Sequence, residues 1–296
     1  MEIIVVGHLS RDLIITPDYE REALGGAAAY AMVAPHLGAL GAGIVSRVGE
    51  DFEQTYIDDL REANLDLTGL RVSGEKTTRF VNKYDRDGNR TQYVEAIAPE
   101  LRAADLSPEH LEANIFHFSP IIGEVHPSCI EAAKTYGALI SLDVQGYVRE
   151  NDEGKVVPKE WTDADQIIRN VDILKCDKEE MKLFADDYTE EDSAEKILSW
   201  GPHAIIVTKN QEGSTIYTRN IQTDIPSVVP EDYVDSTGCG DTYAIAFLLE
   251  YMRTGDVKRA GLFGATTSSF NLEHVGPYSL PSRSEIEDRM KQYMEA

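Results

Sequence analysis

The 296-residue sequence predicts an α/β fold with a mostly parallel central sheet covered by helices, on three observations. Short apolar runs rich in Val and Ile recur along the chain, stretches with helical spacing lie between them, and the length is enough for a substantial core. Fully apolar strands alternating with helices point to parallel pairing, in which both faces of the sheet are buried.

The strand candidates are, in order, "EIIVVG" (2–7), "AGIVSRVG" (42–49), "NIFHFSP" (114–120), "ALISLDV" (138–144), "VDILKCD" (171–177) and "AIIVTKN" (204–210). Helical spacing marks 26–38, 53–64, 127–136, 178–185 and 192–200, and from 241 onward the chain reads as three helices punctuated at Thr254-Gly255-Asp256. One segment breaks the rhythm. In "KTTRFVNKYDRDGNRTQYVEAIA" (76–98) two β-branched and aromatic runs flank "RDGN", a hairpin signal, and "LSRDLIIT" (9–16) reads as a further strand with one apolar face. Together they predict a small antiparallel sheet, a natural lid or dimer contact, made from segments at about 9–17 and 68–98. With no internal repeat or low-complexity tract, a single domain over 1–296 carrying this inserted lid is the expected organisation.

Composition narrows the function. Fifty-two acidic against 28 basic residues give a formal net charge of −24, which argues against a sequence-independent grip on nucleic acid or an anionic membrane. No run approaches the ~18 apolar residues of a membrane span. "MEIIVVGHLSRD" is too short and too soon charged for a signal peptide, so a cytoplasmic location is expected. Three scattered cysteines form no disulfide framework, and seven histidines show no ligand spacing; only His8 stands beside a candidate site. Two phosphate-binding patterns fail: in "GLRVSGEKT" (69–77) Glu75 separates the glycine from Lys76, and "HLGALGAGIVSRVG" contains no GxGxxG.

The stretch "DSTGCGDTY" (235–243) is the main candidate for phosphate chemistry. Gly238, Cys239 and Gly240 precede a helix beginning near Asp241, so unpaired backbone N–H groups and the positive end of the helix dipole converge there. Glycines let an oxyanion approach the main chain without meeting a Cβ. Asp241 has two readings: a base that takes a proton from an attacking hydroxyl, or a carboxylate that favours the first helical turn.

"DSTGCGDTY" resembles the DTxGAGD signature of the PfkB, or ribokinase-like, carbohydrate kinases, with Ser236 and Cys239 departing from it. "GGAAAYAMVAPHLGALGAGIVSRVGEDF" (25–52) resembles the N-terminal signature of the same family, and the resemblance covers nearly the whole chain. It implies a ribokinase-like fold and an enzyme, an ATP-dependent phosphotransferase acting on an alcohol group with Mg²⁺ as cofactor and a monovalent cation as a further candidate. By position Asp241 matches the catalytic base, and Gly238, Cys239 and Gly240 the anion hole. Asp12 in "GHLSRD" matches the aspartate that binds substrate hydroxyls, where the residue by itself reads as a solvated charge, and Gly25 and Gly26 match the glycine pair beneath the substrate.

"TKNQEG" (208–213) corresponds to the family's TxGxxG on the ATP side, with Thr208 and Gly213 kept and Asn210 replacing the middle glycine. Asp235 and Thr237 belong to the same nucleotide side. "DKEE" (177–180) stands where the family carries NxxE near Mg²⁺, so Glu180 and, through water, Asp177 are the metal candidates; two surface acids is the other reading. The stretch 141–161, with "GHLSRD" and "HVGPYSL", resembles a small branch that includes myo-inositol kinases. There Asp143, Gln145 and Arg149 would meet the substrate or the transferring phosphate, and by themselves they also fit a loop salt-bridge network. Ala27 and Tyr30 replace the Lys and Asn of ribokinases, which argues against ribose. The expected function is therefore an ATP-dependent kinase for a small sugar or polyol, myo-inositol first. A nucleoside kinase for adenosine or cytidine and a non-catalytic nucleotide- or sugar-binding regulator are the alternatives. A homodimer through the lid sheet is a further family expectation.

Overall fold

The computed structural model describes residues 1–86 and 90–294. Its strands are β1 (Ile3–Val6), β2 (Ser10–Ile15), β3 (Glu20–Gly25), β4 (Ala42–Val48), β5 (Leu65–Val72), β6 (Arg79–Tyr84), β7 (Arg90–Ala96), β8 (Ile115–Phe118), β9 (Leu139–Asp143), β10 (Arg149–Asp152), β11 (Lys155–Pro158), β12 (Ile173–Asp177), β13 (Ala204–Thr208), β14 (Ser214–Thr218) and β15 (Gln222–Ile225). The helices are α1 (Val33–His36), α2 (Gln54–Glu62), α3 (Pro108–Leu111), α4 (Pro127–Thr135), α5 (Ala164–Ile168), α6 (Lys178–Ala185), α7 (Glu190–Trp200), α8 (Cys239–Thr254), α9 (Val257–Asn271) and α10 (Arg283–Met290).

Nine strands form one sheet in the order β15-β14-β13-β12-β9-β8-β1-β4-β5. From β13 to β5 every pairing is parallel, and β14 and β15 close one edge antiparallel. The reason is visible in β1. Ile3 and Val5 pack into one apolar cluster with Phe247 of α8 and Phe263 of α9, while Ile4 and Val6 pack into a second with Ile130 of α4 and Ile197 of α7. Successive side chains point to opposite faces of a strand, so a fully apolar strand demands cover on both. This is the mostly parallel α/β architecture expected, with a small second sheet beside the large one.

The second sheet runs β10-β11-β7-β6-β2-β3, all antiparallel except β2 with β6. The expected hairpin is its centre; three residues of the "RDGN" turn, 87–89, lie outside the described residues. The expectation for 68–98 is corrected at its start. Residues 68–72 belong to β5 and pair in parallel with β4, so they extend the large sheet. The small sheet instead recruits β3, β10 and β11.

His8, at the exit from β1, ties the two sheets. Its Nδ1 is 2.8 Å from Thr78 Oγ1, which leads into β6, and its Nε2 is 3.1 Å from Pro99 O beyond β7. Carbonyls only accept, so Nε2 carries the proton and Nδ1 accepts from Thr78, and burial lowers the imidazole pKa to match. His8 is thus a neutral buried support rather than a group open to the site.

Candidate active site

The parallel strands end on a pocket between the two sheets, where an open α/β sheet presents its ligand site. It is lined by Asp12 of β2, Gly26, Gln145 and Arg149 beyond β9, and Thr237, Gly238 and Asp241 at the start of α8. Seven of the candidate site residues drawn from sequence therefore converge, together with Ala27 and Tyr30.

The loop before α8 owes its shape to three devices. Asp235 Oδ1 accepts from Thr237 N (3.0 Å) and Thr237 Oγ1 (2.8 Å), which turns the chain. Gly238 then adopts φ +76 as the N-cap, and a Cβ there would lie 1.8 Å from Tyr30 Cζ, so the Tyr30 ring packs against its bare face. Helix α9 holds the loop from behind: Asn271 Nδ2 donates to Thr237 O at 2.8 Å and Ser268 Oγ to Cys239 O at 2.9 Å. The Cys239 role is corrected in part. Its amide lies 3.3 Å from Ser236 O and its Sγ contacts Ser268 O and Asn271 Nδ2, so Cys239 fastens the loop to α9. Thr242 N already reaches Gly238 O, so the amides of Gly240 and Asp241 precede the first regular helical bond, as an anion cradle requires.

Asp241 Oδ1 accepts a 3.1 Å bond from Ser119 Oγ, which follows β8. Burial, then the nearby Asp143 carboxylate, raises its pKa from 3.8 to about 6 against the opposing pull of Lys175. Asp12 is also raised to about 6, by burial, although Ser10 Oγ donates to its Oδ1 at 2.6 Å. Gly25 is not in the pocket but beneath it: β2–β3 pairing sets Ser10 opposite Gly25, and a Cβ on Gly25 would stand 2.5 Å from Asp12 Oδ2. Gly26, at φ +83, passes so close to His8 O that a Cβ would meet it at 2.2 Å.

Asp143 is corrected. Its side chain is buried and bonded at 2.6 Å to Lys175 Nζ, while its Oδ1 accepts from Gln145 N at 3.1 Å, so it supports a lysine and a turn instead of facing substrate. A buried carboxylate needs such a counter-charge, and each holds the other ionised: Asp143 is lowered and Lys175 raised despite burial. Lys175 is a candidate site residue that motif reasoning missed. Its Nζ stands 2.9 Å from where a Gly240 Cβ would sit, directly at the cradle. The signal was a lysine inside the apolar strand "VDILKCD". Ser119, which bonds Asp241, was missed as well, as were the pocket-lining Asn82, Arg90 and Gln92 from the hairpin, Ser10, and the apolar Phe80 and Ile121. A serine at the carboxyl end of β8 was legible; the hairpin side chains required the pairing of the sheet.

The remaining residues lie apart from this pocket, at the carboxyl ends of β12 and β13. Asp177 and Thr208 are partners across those strands. Gly213, φ +89, approaches the β15 edge so closely that a Cβ would lie 2.2 Å from Ile225 O. Asn210, which stands where the resembled motif has its middle glycine, is at φ +51, a left-handed conformation that asparagine tolerates. Asp177 and Glu180 form a capping box for α6, with Asp177 Oδ1 accepting from Glu179 N and Glu180 N, and Glu180 Oε2 from Asp177 N. That cap accounts for three of their contacts without a metal, and no cluster of three candidate ligands occurs among the described residues. Burial raises the Glu180 pKa to about 7.

Comparison with known proteins follows the same lines. The family model described as "pfkB family carbohydrate kinase" matches residues 2–283. The cytidine kinase of Thermococcus kodakarensis is 26% identical over 289 residues, covering 95% of this chain and 99% of that protein. The inositol 3-kinase of Arabidopsis thaliana is 22% identical over 285 residues, 93% of this chain and 74% of its own. Among solved structures, a pyrophosphate-dependent kinase of the ribokinase family, complexed with a pyrophosphate analog and myo-inositol, superposes with a TM-score of 0.81. That match is 23% identical over 97% of this chain and 99% of the other, and it speaks to the fold.

Proposed function

The chain belongs to the pfkB family of carbohydrate kinases, and on that premise we propose that it transfers the terminal phosphoryl group of ATP to a hydroxyl of a compact cyclic polyol, myo-inositol first among them. The observation that carries this reading is the set of polar side chains, Asp12, Asn82, Arg90, Gln92 and Gln145, distributed round the pocket that also holds Asp241. A ring bearing several hydroxyls needs acceptors and donors from many directions, and carboxylate, amide and guanidinium supply both.

In this mechanism Asp241 takes the proton of the attacking hydroxyl. A carboxyl with a pKa of about 6 is ionised at neutral pH yet basic enough to accept that proton as the O–P bond forms. Ser119 keeps the carboxylate aimed. The amides after Gly238 and the ammonium of Lys175 stabilise charge spreading over the phosphoryl group. Asp12 orients the acceptor, with Gly25 leaving room behind it. Kinases of the ribokinase family typically use ATP with Mg²⁺, which neutralises phosphate charge. The donor set suits an ion held through its waters: Asp177 is half-buried at the end of β12 with Oδ1 committed to the helix cap, and Glu180 is its neighbour.

A second reading is favoured by the likeness to a cytidine kinase: a nucleoside whose ribose meets Asp12 and whose base rests on Phe80 and Ile121. Incubating the purified protein with myo-inositol, ribose, cytidine or adenosine, each with ATP or pyrophosphate, and following products by ³¹P NMR separates the two. Transfer to myo-inositol is expected. Transfer to cytidine with none to myo-inositol overturns the first reading in favour of the second.

A further inference from the structure

We propose that Glu124 is a positioning residue for acceptor selection: its buried carboxylate ties the exits of β1 and β8 together and so fixes the apolar wall of the pocket. The proposal rests on the kinase reading above. The first observation is the carboxylate itself, which belongs to a residue only 3% exposed. Its Oε1 accepts from His8 N and Ile121 N, both at 3.0 Å, and its Oε2 from Ile121 N and Ile122 N, both at 2.9 Å. Three backbone N–H groups on one carboxylate offset much of the cost of burying its charge. They come from two separate segments, since His8 follows β1 and Ile121 and Ile122 follow β8, its parallel neighbour.

The second observation is what those N–H groups belong to. Ile121 lines the pocket beside Asp12 and Phe80, whereas Glu124 does not reach it. Ile121 and Ile122 form one apolar cluster with Ala27, Phe80 of β6 and Val94 of β7, and Val156 of β11 packs against it. His8 in turn bonds on either side of the β6–β7 hairpin, to Thr78 and Pro99. The loop after β8 therefore meets the small sheet at this cluster, and the carboxylate beneath it sets how far the wall stands into the pocket.

The third observation separates this wall from the reacting groups. Ser119, which bonds Asp241, is held without Glu124: its N–H donates to Val6 O at 2.9 Å, and Gly7 passes so close that a Cβ would lie 2.4 Å from Ser119 O. Loss of the carboxylate thus frees residues 121 and 122 but leaves Ser119 and the base in place. An apolar wall touches the acceptor equally before and during transfer, so its displacement is read in KM and in the preference between acceptors, not in kcat.

Steady-state kinetics of the full chain, with the donors and acceptors of the product assay above, test this. In Glu124→Gln either orientation of the amide sets an NH₂ group against N–H donors that now face a carboxylate oxygen. The variant is expected to raise the KM of the preferred acceptor about tenfold, with kcat and the donor KM within about threefold, and to narrow the preference between acceptors by a similar factor. Ile121→Ala is expected to raise the acceptor KM too, and the double variant to lie within about twofold of the worse single one, because both act through one wall. A merely structural Glu124 would lower the thermal midpoint and leave acceptor KM and preference untouched in the folded enzyme. Should Glu124→Gln not fold, Glu124→Asp keeps the charge but falls one methylene short, and the same rise in KM is expected of it. Wild-type acceptor KM and preference in a folded variant, a loss of kcat at constant KM, or effects of Glu124→Gln and Ile121→Ala that multiply would each overturn the proposal. A wild-type protein that transfers phosphate to no acceptor defeats the kinase reading and this inference with it, whereas an active wild type with insensitive variants defeats the inference alone.

Discussion

Asp12 and Asp241 share one perturbation: burial raises each carboxyl from 3.8 to about 6. At about 1.4 kcal/mol per pKa unit, holding either one ionised costs folding roughly 3 kcal/mol. The sign is fixed by linkage. A raised carboxyl pKa means that between about pH 4 and 6 the folded chain binds a proton that the unfolded chain has released. The penalty is therefore complete above pH 6 and is relieved as pH falls toward 4. Asp241→Asn removes that penalty along with the base. Its thermal midpoint is expected to exceed the wild type by several degrees at pH 8 and to lose that advantage by pH 4, while kcat drops by about 10² to 10⁴. In the wild type, kcat is expected to fall about tenfold per pH unit below 6, since only the ionised base accepts the proton. Differential scanning fluorimetry and a coupled ADP assay measure both, and near-normal turnover of Asp241→Asn would sink the assignment of the base.

The loop before α8 and strand β12 show what a sequence can and cannot disclose about an element. A Cβ on Gly238 would fall 1.8 Å from Tyr30 Cζ at a backbone φ of +76, so Gly238→Ala must displace the ring or the cradle. Loss of phosphoryl transfer is expected with a lowered thermal midpoint; a fully active Gly238→Ala enzyme would contradict the close packing. Lys175→Met leaves Asp143 buried without its counter-charge, at an expected cost of about 3–5 kcal/mol, whereas Lys175→Met combined with Asp143→Leu should recover much of that stability without activity. Urea titration of the three proteins decides it. The parallel strands other than β5 were legible because each is a short apolar run, and the cradle because glycines and acids crowd one helix start. The strands β3, β10 and β11 were not. "EREALG" and "RENDEGKVVP" lack alternating apolar residues, and β10–β11 closes through Glu153 and Gly154, both at positive φ, on residues of low strand propensity. The strand β5 was mistaken for lid because Gly69 interrupts it and the hairpin follows closely. Lys175 and Ser119 went unnoticed because each is a single polar residue in or just after an apolar strand, with no motif around it; the parallel order of β8, β9 and β12 brings them to Asp241.

At the scale of the whole molecule two kinds of electrostatics compete. Glu250 of α8 is fully buried and accepts from Arg253, Arg259 of α9 and Arg283 of α10, so it clasps three helices; the bonds hold its carboxyl below the usual range, and ionic strength reaches it poorly. Most of the other ion pairs are partly exposed, each worth about 0–1 kcal/mol and weakened by salt. Against them stands the excess of 52 acidic over 28 basic residues. Like charges repel over about 10 Å at 0.1 M ionic strength but only about 3 Å at 1 M. Salt thus removes a few tenths of a kcal/mol from each exposed pair while it relieves a repulsion summed over 24 uncompensated charges. The second effect is the larger, because it involves every acidic neighbour rather than single contacts. The thermal midpoint is expected to climb steadily as KCl is raised from 0.1 to 1 M, with chloride chosen to avoid the exclusion effect of sulfate. A midpoint that stays flat or falls over that range would show that the surface pairs, not the net charge, govern the stability of this chain.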